Sequence, residues 1–290
     1  MKRNYLHIIL ELTKIRITSF VMITTSFGYI LASGGISLGL ILPTLGILLL
    51  ACSSAVLNHY QERDTDAKME RTKSRPIPAK LISEKEVLIL FTLLFLSGFL
   101  ILLIASGLLP ALLGLLALFW YNGVYTPLKK RTALAIIPGS LIGAIPPVVG
   151  WVAGGGNIFD PQIILIAFFF FIWQIPHFWL LLLVFGKDYE EAGFPTLTQI
   201  FSKEQLARIT FIWTFAVAVT SFLLPLFNVI KISYASFVII AAAVWLIYKV
   251  SHLLSKDVER IEFKYAFREI NLFVIYIMLS VSIERLFIFL

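Results

Sequence analysis

Apolar residues in this chain run in long blocks separated by short polar stretches, and most blocks are about 18–22 residues long. A helix of that length crosses the hydrocarbon core of a bilayer. The pattern predicts nine transmembrane helices, at Ile17–Leu31, Leu38–Leu57, Val87–Ile104, Leu108–Tyr125, Leu134–Val152, Ile163–Val184, Ile209–Phe227, Ser233–Val250 and Leu272–Leu290. The first is short and has room to begin earlier, near Leu12. The stretch Ala105–Leu109 is so tight that the spans on either side of it must be antiparallel neighbours. No segment is long or polar enough for a soluble domain. The expectation is an all-α, polytopic helical bundle of nine spans around a central cavity, one membrane-embedded domain over residues 1–290.

Composition removes the soluble alternative. The chain is 59% hydrophobic and 14% charged, against about half and a quarter in soluble domains. The net charge of +7 points to topology rather than to nucleic acid, because the cations sit in short loops. Of 24 Lys and Arg, 22 fall in the N-terminal segment and the even-numbered loops. Only Lys231 lies opposite, and Arg285 falls in the last span. The positive-inside rule then puts the N-terminus in the cytoplasm, the C-terminus outside and the protein in the cytoplasmic (inner) cell membrane. The N-terminus shows no cleavage site after a short apolar core, so the first span is expected to be retained. The one cysteine, Cys52, lies within a span and has no partner for an internal disulfide.

The most polar run is Leu57–Pro78, where Glu62, Asp64, Asp66 and Glu70 alternate with Arg63, Lys68, Arg71, Lys73 and Arg75. Asn58, Glu62 and Asp66 are four residues apart, which on a helix is one stripe. Two carboxylates and an amide in line at the end of an apolar helix suit a hard divalent cation. Mg²⁺ takes oxygen ligands and is held by one or two carboxylates plus substrate phosphates. The competing reading, a solvated loop of mixed charge, is weakened because the acids begin where the apolar run ends. A second acidic group, Asp188–Glu191, likewise follows an apolar run, four spans later. This spacing suggests two four-helix halves that each present an acidic end.

Trp173–Pro195 holds further chemistry. Trp173, Gln174, Pro176 and His177 interrupt a span, and polar residues in a bilayer usually face a cavity or a partner. Pro176 frees a carbonyl and kinks the helix. His177 has three open roles: haem-iron ligand, proton donor or acceptor, or structural hydrogen-bonder. Trp173, Phe178 and Trp179 suit an aromatic pocket for a flat or isoprenoid ligand, or plain packing. Tyr125–Thr132 sets Tyr125 beside three cations at a helix end, for phosphate contact or for anchoring. Gly139–Trp151 is rich in glycine and carries a double proline, which allows close helix approach.

These stretches resemble a known family. Asn58, Glu62 and Asp66 give N-x-x-x-E-x-x-x-D, similar to the first aspartate-rich motif of the UbiA superfamily of intramembrane prenyltransferases. Further matching stretches are Leu12-Thr13-Lys14-x-Arg16, Glu62–Pro76, Tyr125-Thr126 with Lys130-Arg131-Thr132, Gly143–Trp151, Trp173-Gln174-x-Pro176-His177-Phe178, and Asp188-Tyr189-x-x-Ala192-Gly193-x-Pro195. The last two resemble the haem-farnesylating branch more narrowly. The resemblance implies farnesyl diphosphate as donor, haem b as acceptor, and Mg²⁺ held by Glu62, Asp66 and Asp188 with help from Asn58 and Asp64. It implies substrate contacts from Lys14, Arg16, Arg63, Arg71, Arg75, Tyr125, Lys130, Arg131, Trp173, Gln174 and Tyr189, and a part for His177. Three positions depart from the pattern: Glu62 replaces an aspartate, Ile15 a frequent proline, and Ala192 the second acid of the later motif. Prenylation of an aromatic quinone precursor is the alternative reaction, and a haem transporter or chaperone the alternative of another class. A haem A synthase or an oxidase assembly factor is an expected recipient of the product.

Overall fold

The protein is described by a computed structural model over residues 4–231, 233–255, 257 and 262–288. Lys2, Arg3, Lys256 and Arg260 of the charge tally, and the end of the last span at Phe289 and Leu290, lie outside the described residues.

A short helix the hydropathy pattern does not predict opens the chain. In α1 (Tyr5–Leu12) the Asn4 side chain accepts from the Leu6 amide at 3.3 Å. It is too short to span a bilayer, and three of its apolar side chains, Tyr5, Leu6 and Leu10, are exposed. The chain then breaks at Lys14, which adopts a left-handed conformation with φ 48° and ψ 47°. That conformation is uncommon outside glycine.

Nine helices follow that are long and apolar enough to cross a membrane, and no strand occurs among the described residues. They are α2 (Ile15–Ser33), α3 (Leu38–Asp66), α4 (Glu84–Ser106), α5 (Leu108–Leu128), α6 (Ala133–Ala153), α7 (Pro161–Glu191), α8 (Lys203–Leu226), α9 (Tyr234–Leu254) and α10 (Phe263–Phe287). Their starts and stops follow local chemistry. Ser83 and Glu86 form a reciprocal capping box for α4, and Ser202 and Gln205 do the same for α8, satisfying the amides a helix start leaves free. Gly107 alone turns α4 into α5, at φ 85°, a conformation glycine adopts without strain.

Helix α2 packs on α3, α6 and α10, while α7 packs on α6, α8 and α10. The α3–α4–α5 group meets the remainder along α2 and α6, and α9 closes against α8 and α10. One core cluster joins α7 to α10 around Phe170 and Phe273, and another joins α3, α4, α5 and α6 around Ile47, Leu102 and Val149. Lipid is as apolar as these side chains, so close packing rather than water exclusion holds such helices together. The α2–α6 crossing is the tightest example. An added Cβ on Gly150 would sit 2.8 Å from the Thr25 carbonyl carbon and the Tyr29 nitrogen, and one on Gly28 would meet the Pro147 backbone.

Three irregularities shape the helix ends near the polar residues. Residues Trp120–Tyr125 of α5 form a π-helical turn, a local widening frequent at functional sites. Helix α6 is interrupted at Ser140 and carries Pro146 and Pro147. Helix α7 contains Pro176 and a non-helical Phe185 (φ −116°, ψ 17°) just before its acidic tip.

Candidate active site

Helix α3 does not stop where its apolar residues stop. It continues to Asp66, so Asn58, Glu62 and Asp66 share one helical face. That face is turned inward: the three residues are 1%, 6% and 0% exposed. Two carboxylates this deeply buried need counter-charge. Arg75 donates through Nη1 to both oxygens of Asp66 at 2.8 Å. Lys129 forms an ion pair with Glu62. Lys14 donates to the Asn58 carbonyl oxygen at 2.7 Å, and the Asn58 amide donates to Thr126 at 3.2 Å. The site thus draws on the α1–α2 break, α3, the segment after it, and the end of α5.

Burial, with Arg75 adding like charge, holds the Lys14 pKa down to about 7, although Glu62 pulls the other way. Burial would also lower that of Lys129, but Glu62, Tyr125 and Tyr121 outweigh it and raise the value. Glu62 thus holds the proton on Lys129 against its burial, whereas burial loosens the proton on Lys14.

The second acidic group meets the first through Arg71, whose Nε lies 3.7 Å from Asp188. The Arg71 guanidinium also sits over the rings of Phe185 and Tyr189, at 5.0 and 5.9 Å, where cation–π attraction adds to the ion pair. Glu190 turns away and accepts from Thr196 at 2.9 Å and from Thr198. Glu191 is exposed. A wall of rings descends from this point. Lys129 lies over Tyr125, Tyr125 stacks on Phe178 at 5.7 Å, and Phe178 meets His177 at 5.8 Å. Gln174 lies against Gly143, where an added Cβ would collide with its amide. Trp173 is buried beside His177, with ring centroids 4.8 Å apart.

Several residues singled out in the sequence are placed elsewhere. Arg63 pairs with Glu84 at 3.1 Å and covers the Tyr60 ring, on the flank of α3. Asp64 and Arg16 are exposed. Lys130 and Arg131 are exposed too and line a pocket of about 250 Å³ with Gln61, Asn122, Thr126 and Pro127, beside the stripe rather than in contact with its carboxylates. Of the three adjacent cations it is Lys129 that reaches Glu62. A helical signal for this exists: Lys129 is four residues after Tyr125 and shares its face. Asn122 and Asn271 also escaped sequence reading. Asn122, in the π turn, accepts from Ser54 at 2.6 Å and donates to Gln61 at 3.0 Å. Its signal was an amide within an apolar run.

This placement separates two neighbouring lysines. Lys129→Met is expected to lower kcat/KM about a hundredfold, the scale for losing one charge-stabilising donor, and Lys130→Met less than threefold. Steady-state kinetics on the two variants test it; equal losses would overturn the assignment.

The donor set suits a hard cation. It is all oxygen, with Asn58, Glu62 and Asp66 on one face of α3. No group of three or more His, Cys, Asp and Glu converges as a ready metal cluster among the described residues. Mg²⁺ tolerates this arrangement because substrate phosphates and water complete its octahedron. The residues therefore fit a cation that arrives with a phosphorylated ligand.

The UbiA prenyltransferase family model matches residues 21–273. A protoheme IX farnesyltransferase of Oleidesulfovibrio alaskensis is 32% identical over 276 residues, 95% of each chain. One of Geobacter sulfurreducens is 43% identical over 183 residues, covering 63% of this chain and 67% of the relative. Among solved structures, one concerned with digeranylgeranylglyceryl phosphate synthase superposes with a TM-score of 0.78 at 16% identity, covering 97% of this chain and 98% of the other. A UbiA homolog from Archaeoglobus fulgidus bound to GPP and Mg²⁺ superposes with a TM-score of 0.64 at 16% identity, over 95% of this chain and 99% of the other. At that identity the structural likeness speaks for the fold.

Proposed function

The chain belongs to the UbiA prenyltransferase family, and from that premise we propose that it is a protohaem IX farnesyltransferase, transferring a farnesyl group from farnesyl diphosphate to a vinyl group of haem b to give haem O. The observation that carries the reading is the end-to-end match to a relative bearing that activity in its name. The buried Asn58–Glu62–Asp66 stripe and its pairing with Lys14, Lys129 and Arg75 support it from the structure.

Glu62, Asp66 and Asp188, with Asn58 beside them, would hold Mg²⁺. When bound, the ion neutralises diphosphate charge and draws off electron density as the leaving group departs. The chain's own cations act on the same oxygens. Lys129, Arg75 and Lys14 pair with the stripe, Arg71 lies beside Asp188, and these side chains would take up the negative charge that develops on diphosphate. The C1–O bond breaks with its electron pair leaving on diphosphate. The resulting allylic cation would lie beside the Tyr125–Phe178 ring stack, whose apolar surface excludes water. The vinyl π pair then forms the new carbon–carbon bond. The cation left next to the porphyrin takes up water and loses one proton, giving the hydroxyethylfarnesyl group. Haem b, farnesyl diphosphate and water thus yield haem O, diphosphate and a proton.

The nine helices make this a polytopic membrane protein. We place it in the cytoplasmic membrane as one domain over residues 1–290, its acidic helix ends facing the cytoplasm, a reading supported by the Lys and Arg bias. Its product is hydrophobic, and a membrane-bound haem A synthase or an oxidase assembly factor is a fitting recipient.

Membranes containing the protein, incubated with haem b, farnesyl diphosphate and Mg²⁺, are expected to yield a haem carrying the hydroxyethylfarnesyl mass. The product should vanish when a chelator is added. Unchanged haem b, with a known haem O synthase active beside it, would overturn the reading and turn attention to aromatic acceptors.

A further inference from the structure

His177 sits in the middle of α7 and is held on one side only. Its Nδ1 lies 2.7 Å from the Asn271 carbonyl oxygen on α10. The Asn271 amide nitrogen donates to the Phe267 carbonyl at 2.6 Å. That second bond orients the amide, because a flipped Asn271 would set two oxygens against each other. The Asn271 oxygen is therefore the acceptor, and Nδ1 carries the imidazole proton. Nε2 is left with a free lone pair and has no hydrogen-bond partner among the described residues. The ring is fixed between Trp173 and Phe267, with centroids 4.8 and 4.9 Å away. Trp173, one turn earlier on the same helix, is 4% exposed, and its indole N–H has no acceptor. A buried donor without a partner marks a place where a ligand or water belongs. His252, by contrast, has both ring nitrogens against backbone carbonyls.

A neutral imidazole with Nδ1–H anchored to an oxygen and Nε2 free is the arrangement of a metal-ligating histidine, the anchor setting both tautomer and ring direction. We propose that His177 ligates the iron of the acceptor haem through Nε2, with Asn271 as its positioning residue. This rests on the haem farnesyltransferase reading and deepens it, since it states how the porphyrin is gripped. The Nε2 lone pair forms the Fe–N bond as a water or other weak axial ligand leaves. The iron keeps its oxidation state, and no proton moves. The bond would hold the macrocycle beside the ring wall that leads up through Phe178 and Tyr125 to Lys129.

The test is haem b titrated into the purified, lipid-reconstituted protein without farnesyl diphosphate, read by optical and electron paramagnetic resonance spectra. Wild type should show a histidine-ligated ferric haem. His177→Ala should lose that signature and bind haem about tenfold or more weakly, and added imidazole should restore the spectrum. Asn271→Asp should keep the ligand but lower the haem reduction potential, because a carboxylate makes the imidazole a stronger donor. A wild-type-like spectrum in His177→Ala overturns the ligation while leaving the function intact, provided wild type still makes haem O. Wild type that neither binds nor converts haem b overturns both.

Discussion

Glu62→Ala combined with Asp66→Ala is expected to lose at least about a thousandfold in kcat/KM, while the protein still inserts in the membrane. The two carboxylates are one helical turn apart on the same buried face. Each carries the counter-charge of a separate cation, Lys129 and Arg75. Removing both takes away the oxygens proposed to hold the metal and leaves two cations without these partners. Loss of a single preorganised charge-stabilising group costs about 10²–10³ in rate, so the pair should reach the upper end or beyond. Unpaired buried charge also costs stability. The isosteric pair Glu62→Gln with Asp66→Asn therefore accompanies it, since it keeps the volume and one oxygen of each group while removing the charge. Both should fail in the mass-spectrometric haem assay, and detergent-solubilised protein should run as a single sharp peak. Turnover retained in the isosteric pair would remove Glu62 and Asp66 from the chemistry.

Gly150→Ala is the second large effect, this time on stability. At the α2–α6 crossing an added methyl would meet backbone rather than a movable side chain, at 2.8 Å from both the Thr25 carbonyl carbon and the Tyr29 nitrogen. Backbone cannot rotate aside as a rotamer can, so the helices must part along a seam that also holds Gly28 against Pro147. Overpacking of this kind costs about 3 kcal/mol. A clear fall in melting temperature is expected in a thermal unfolding assay in detergent. Gly35→Ala is the control, because a Cβ there meets nothing within 4 Å, and surface changes stay within about 0.5 kcal/mol. Equal melting temperatures for the two variants would show that the α2–α6 seam is not the closest contact of the bundle.

The spans and the acidic stripe were legible because both depend on local repeat. A run of apolar residues marks a crossing helix, and a four-residue spacing marks one face. Asn58, Glu62 and Asp66 accordingly fall on a single buried face of α3. Choices among equal neighbours were not legible. Lys129, Lys130 and Arg131 are alike in charge, and only the π turn before them decides which one meets Glu62. Arg63 and Arg71 look equivalent in sequence. One is drawn to Glu84 at the start of α4, the other crosses to Asp188 on α7, and both partners are set by tertiary packing. Asn271 is a single amide at the edge of an apolar run, and its meaning appears only when α10 lies beside α7.

The lengths of α3 and α7 have one more consequence. At 29 and 31 residues they measure about 45 Å at 1.5 Å per residue, some 15 Å more than the hydrocarbon they cross. The surplus on each falls at the end bearing the acids. A prenyl diphosphate is itself an amphiphile, with a charged head and an oily tail, and the protein repeats that division along its own axis. A diphosphate head held at these ends would stay at headgroup depth, spared the tens of kcal/mol that an isolated charge would cost in oil. The tail never leaves the medium in which it dissolves. For such a substrate the bilayer would act as a ruler, setting its depth before any side chain touches it.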